Sequence, residues 1–116
     1  MVGKSAALAF LVIVLAACSP RLQPSDLASL ASAAPTLLRD QLRAGDIPAS
    51  KWPAAIARLN PDRVYATSDG LYIATSSFFV QEWGVFVPRS GFTPRQGTDP
   101  SYTSIGQGVF SYHLKG

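Results

Sequence analysis

Arg63-Val64-Tyr65-Ala66-Thr67-Ser68-Asp69-Gly70-Leu71-Tyr72-Ile73-Ala74-Thr75 is the stretch on which the fold of this chain turns. Apolar and polar residues alternate with period two on both sides of Asp69-Gly70. Alternation of that kind marks half-buried strands, and Asp-Gly between two such runs is a strong hairpin signal. A two-residue turn there needs positive φ at both central positions, and it pairs Ser68 with Leu71, Ala66 with Ile73 and Val64 with Thr75. Val64, Ala66, Leu71 and Ile73 then share the core face. Tyr65 and Tyr72 go to the other.

Helical spacing dominates upstream of the hairpin. Ser25 or Asp26 caps a segment with Leu27, Leu30, Ala31 and Ala34 on one face. Pro35 interrupts it, because proline lacks an N–H and disfavours helix at the residue before it. The pattern resumes at Thr36, places Leu37 beside the Leu38/Leu42 pair, and stops at Gly45. This predicts one kinked helix or two short ones. A further helix is expected from Ser50 to Asn60, with Pro53 in its first turn and Trp52, Ile56 and Leu59 as its stripe.

Downstream, neither parity of Phe78-Phe79-Val80-Gln81-Glu82-Trp83-Gly84 gives a clean apolar face, so this segment reads as a connection or bulge. Val85-Phe86-Val87 is a third strand and 108–114 a last one. Between them, 89–107 reads as a long loop rich in Gly, Pro, Ser and Thr. Helices first and strands afterwards predict α+β. The expected architecture is two or three N-terminal helices packed on a small antiparallel sheet of three or four strands, near 63–68, 71–76, 84–88 and 108–114.

The first twenty residues carry a different message. Lys4 precedes an apolar run from Ala6 to Val14, and Leu15-Ala16-Ala17-Cys18 follows, with the single cysteine of the chain. A basic start, a short apolar stretch and small residues at the cut make a secretory signal. The run is too short for a bilayer core of about 30 Å, which takes about 20 apolar residues. This leader resembles a bacterial lipoprotein signal peptide ending in a lipobox. The resemblance covers the leader alone. It implies cleavage before Cys18, acylation of its thiol and new amino end, and a protein held to a membrane of the cell envelope by lipid. Ser19, where an aspartate tends to retain Gram-negative lipoproteins at the inner membrane, implies the outer membrane facing the periplasm if the organism is Gram-negative. Residues 1–17 are then the signal peptide, 18–25 a lipidated tether and 26–116 one small domain.

Removal of the leader leaves 99 of the 116 residues and takes away Lys4, so the formal charge falls from +3 to +2. Nine basic side chains are scattered from Arg21 to Lys115 without a cluster, which argues against a nucleic-acid face. One cysteine allows no internal disulfide. One histidine and widely spaced aspartates provide no metal-ligand spacing, and no cofactor motif is present. His113 has no Ser or Cys nucleophile in a motif that would use it. No catalytic residues are therefore expected.

These observations predict a non-catalytic, lipid-anchored protein that binds another envelope protein or polymer. Tyr65, Tyr72, Phe79 and Trp83 are the candidate partner-binding residues, since surface aromatics anchor interfaces. One alternative is a small cell-wall glycan hydrolase using Glu82 with an aspartate such as Asp99. The other is a periplasmic enzyme inhibitor that inserts loop 88–107.

Overall fold

The structure, a computed structural model, describes residues 22–40 and 43–116. Cys18, the leader and Leu42 lie outside the described residues. Helix α1 (Pro24–Asp40) is followed by β1 (Gly45–Asp46), a 3-10 turn at Ala49–Lys51 and a single-turn helix α2 (Ala54–Ala57). Strands β2 (Arg63–Ala66), β3 (Gly70–Phe78), β4 (Gln81–Pro88), β5 (Ser101–Gly106) and β6 (Val109–Leu114) complete the domain. All pairings are antiparallel, and the sheet order is β1-β2-β3-β4-β6-β5. The expected architecture of several helices on a three- or four-stranded sheet is therefore incorrect. The described residues form mostly a six-stranded antiparallel sheet with one substantial helix.

The helix count was overestimated for two reasons. Pro35 sits inside α1 without ending it, and its ring is exposed. The buried stripe Leu27, Leu30, Ala34, Leu37 and Leu38 runs through the proline, and its packing outweighs one lost backbone bond. The helix expected over 50–60 is reduced to single turns. Pro53 holds ψ at 157° and Trp52 at 127°, so helical geometry starts only at Ala54. Asn60-Pro61 then leaves room for little more than one turn. Trp52 is instead fixed by its indole N–H, which donates to the Ile47 carbonyl at 2.9 Å.

The start of α1 differs in detail from the expected cap. Gln23 is the capping residue, and its carbonyl accepts from the amides of Asp26 and Leu27. Pro24 occupies the first helical position, and the Asp26 carboxylate reaches back to the Gln23 N–H at 3.0 Å. Gly45 does not cap the helix. It pairs with Ala66 in β1.

The β2–β3 hairpin forms, but its register differs by two residues from the expected one. Ala66 pairs with Leu71, Val64 with Ile73 and Tyr65 with Tyr72. The three-residue connection Thr67-Ser68-Asp69 replaces the two-residue turn, closed by the Thr67 N–H on the Gly70 carbonyl at 2.9 Å. Neither Asp69 nor Gly70 has positive φ. Gly70 is required for space: a Cβ there would strike the Val87 carbonyl and lie 2.8 Å from Pro88 Cα. Arg89 holds the loop, its amide on the Asp69 carbonyl at 2.8 Å and its Nε on the Thr67 carbonyl at 3.0 Å. The turn with positive φ at both central residues is Gln107-Gly108, joining β5 to β6. The region expected as a loop over 89–107 thus contains strand β5.

A shift of two keeps every side chain on its face, so the alternation places the same four residues in the core in either register. Val64, Ala66, Leu71 and Ile73 join Val85, Val87 and Val109 beneath Leu27, Leu30, Ala34, Leu37 and Leu38 of α1, with Ile47 and Ile56 buried in the same core. The opposite face is also buried. Tyr72, Phe86, Tyr102 and Tyr112 form a second core, with Tyr65, Phe92 and Phe110 around it. Among the described residues no helix contributes to this side. The rings cover one another, and loop 89–100 folds back to set Phe92 edge-on against Phe86 at 5.7 Å and Tyr102 at 5.9 Å.

Candidate functional site

On β4, Gln81, Trp83, Val85 and Val87 alternate onto the helix-bearing face, where Val85 and Val87 are buried in the core. On β6, Val109, Ser111 and His113 share that face, and His113 pairs directly with Trp83. Only Val85, Val87 and Val109 are covered. Beyond them the sheet opens into a groove of about 1070 Å³. Its floor carries Trp83, Ser111, His113 and Thr103. One wall is the start of α1 (Leu22, Asp26, Leu27), and the other is the segment around α2 (Ala55, Arg58, Leu59).

Trp83 and His113 stack in this floor with centroids 4.7 Å apart and planes 8° from parallel. His113 Nε2 also meets Gln81 Oε1 at 3.0 Å. An aromatic platform with hydroxyls beside it suits a flat, partly polar ligand surface. Charge is balanced at the rim, where Arg58 and Asp26 pair at 3.6 Å across the two walls. Arg58 is exposed and Asp26 partly so, and at that distance the pair adds little stability, but it leaves no single-sign field over the groove.

Glu82 points to the other face. Its Oε2 accepts both the Tyr65 hydroxyl at 2.5 Å and the Tyr112 hydroxyl at 2.6 Å. Tyr72 and Tyr102 join hydroxyls at 2.6 Å. Arg63 lies 4.3 Å above the Tyr65 ring and pairs with Asp46 at 2.7 Å. Burial, with the Glu82 contact adding to it, pushes the Tyr65 and Tyr112 hydroxyls well above the ordinary tyrosine range. Burial does the same for Tyr72, reinforced by Tyr102. The carboxylate therefore works as a hydrogen-bond acceptor for a tyrosine network.

The four candidate partner-binding residues occupy three separate places. Tyr65 and Tyr72 stack at 5.0 Å on the far face, where Tyr72 is buried and Tyr65 half-buried. Trp83 lies in the groove. Phe79 stands at the tip of the β3–β4 hairpin, fully in solvent. The segment expected as a connection over 78–84 is thus a hairpin turn and the start of β4. Its strand character is hidden because its apolar residues 78–80 form the exposed tip and 81–84 are only half-buried on either face.

His113, Gln81, Thr103 and Ser111 were not singled out together from sequence. The signal available was parity: His113 shares its face with Val109, which fills the core. His113 and Glu82 lie on opposite faces, and Asp99 accepts the Lys115 amide at 2.7 Å. Among the described residues no three His, Cys, Asp or Glu side chains cluster as metal ligands, and no helix is long and apolar enough to cross a membrane. The chain matches no protein-family model, and comparisons with curated proteins and with solved structures return no match.

Proposed function

We propose that this chain is a lipid-anchored envelope lipoprotein whose domain captures another envelope protein or polymer without chemistry, and that capture occurs in the groove between α1, α2 and the sheet. The observation that carries this reading is the Trp83–His113 stack, half-exposed in the floor of an open groove and flanked by Thr103 and Ser111. Anchoring rests on Leu15-Ala16-Ala17-Cys18. A periplasm-facing outer-membrane position is part of the proposal for a Gram-negative host.

The engagement of Glu82 by two tyrosine hydroxyls weighs against its service as a glycosidase acid. The return of loop 89–100 onto Phe86 weighs against an inhibitory loop that projects into another enzyme. Photocrosslinking in cells tests the proposal. A photoreactive residue at Thr103, in the groove, is compared with one at Ser32 on the exposed side of α1. A defined envelope adduct is expected from Thr103 alone, and Trp83→Ala should abolish it. Equal adducts from both positions, or none from Thr103, would remove the groove as the capture surface.

A further inference from the structure

Three consecutive large apolar residues cap the β3–β4 hairpin in full view of solvent: Phe78 is 62% exposed, Phe79 91% and Val80 71%. Neither core includes them, and the two rings touch only at an edge-on 4.5 Å contact with each other. The hairpin also projects. β2 pairing with β3 ends at Ala74, and β6 pairing with β4 ends at Glu82. The hairpin therefore runs past β2 from Thr75 onward, and only its end, Phe78–Gln81, extends as a two-stranded finger past the β6 ladder as well, with Gly116 of the C-terminal tail beside Val80.

The turn itself does not call for these residues. Phe79 has φ +56°, a left-handed conformation that glycine or asparagine adopts with less strain. A bulky ring held there, with only the edge of Phe78 against it and otherwise in solvent, is characteristic of a binding element. From Thr75 to Gln81 the finger carries no charge, so burial of its apex in an apolar medium desolvates no ion.

The occupant follows from the anchor. Leu22 lines the same groove as Ser76 and Trp83. The four residues from Leu22 back to Cys18 span at most about 14 Å, and Ser76 to Phe79 reaches about 10 Å further along the strand. A domain tethered that closely meets the bilayer carrying its acyl chains before any other apolar surface. Aromatic rings with polar neighbours settle at the headgroup boundary, to a depth of about 5–10 Å.

We propose that Phe78-Phe79-Val80 is a membrane-inserting wedge that holds the domain against its own bilayer. It rests on the reading of Cys18 as acylated. The full-length lipidated protein carrying Ser77→Cys, labelled there with a fluorophore, is reconstituted into phosphatidylcholine–phosphatidylglycerol vesicles containing lipids brominated near the headgroup. Strong quenching is expected, and adding Phe78→Ser with Phe79→Ser should remove most of it while the thermal transition stays in place. Mass spectrometry of the same sample reads the acyl groups. Acyl mass present with an unquenched label overturns the wedge and leaves the anchor standing. Acyl mass absent with quenching retained overturns the anchor and supports the wedge. Loss of both overturns both. Label self-quenching that grows with protein density and survives in unbrominated vesicles identifies a second copy as the occupant, and it overturns the wedge.

Discussion

Trp83 and His113 lie face to face across β4 and β6, 4.7 Å apart and 8° from parallel, in a groove that the helix leaves open. An aromatic pair of this kind is worth about 0.5–1.5 kcal/mol beyond its area. His113→Ala should lower stability by about 1 kcal/mol and shift Trp83 emission to the red. Fluorescence and denaturation in a Trp52→Phe background measure both. An unchanged spectrum would show that the stack does not persist in solution.

Glu82 joins Tyr65 and Tyr112 through one oxygen. Hydrogen bonds to a charged group contribute about 1.5–3 kcal/mol each. Glu82→Ala leaves both hydroxyls without this partner and should cost about 2–4 kcal/mol. Glu82→Gln keeps an acceptor and should cost less. Urea unfolding of the two variants checks the order, and a reversed order would mean that the negative charge destabilises the fold.

All four tyrosines are held protonated in the fold, chiefly by burial. A folded value raised above the unfolded one contributes stability that is complete below the unfolded value, near pH 10, and is lost as pH rises towards the folded value. The melting temperature should therefore fall as pH rises through about 10. Tyrosinate absorbance should appear together with unfolding. Independent titration near pH 10 in a folded domain would contradict the network.

Gly70 is a test of space against turn conformation. A Cβ there meets the Val87 carbonyl and Pro88 Cα. Gly70→Ala and Gly70→Asn should both destabilise, by about 1–3 kcal/mol as overpacking does. A left-handed turn position would tolerate Asn. Selective rescue by Asn in thermal denaturation would therefore restore the two-residue turn reading.

Ile73 lies wholly inside the helix-covered core. Ile73→Ala should cost about 2–5 kcal/mol, a large part of the usual 5–15 kcal/mol total. Chemical denaturation measures the loss. A cost below about 1 kcal/mol would mean that the sheet face is loosely packed.

Much of one core was legible. Val64, Ala66, Leu71 and Ile73 alternate, and Leu30, Ala34, Leu37 and Leu38 recur at helical spacing, so each element exposes its own buried side in the sequence. The register of Ala66 on Leu71 was not legible. Two registers two residues apart bury the same side chains, and contacts with Arg89 and Pro88 choose between them. Strand β5 was hidden because Ser101-Tyr102-Thr103-Ser104 has one large apolar residue, whose partner Tyr72 is 30 positions away. The groove was hidden for a related reason. Trp83 and His113 are 30 residues apart and meet only through pairing of β4 with β6.

Local periodicity by itself determined which faces of α1, β2 and β3 turn inward, because a side chain's direction depends only on its own backbone. The resemblance of Leu15-Ala16-Ala17-Cys18 to a lipobox likewise needs no fold to be read. Tertiary structure decided the rest: that Pro35 stays inside a helix, that tyrosines form a second core around Glu82, and that Phe79 remains outside both. Each of these depends on which distant groups arrive beside a residue. That arrival sets whether a lost hydrogen bond is outweighed, a hydroxyl finds its acceptor, or an aromatic ring stays in water.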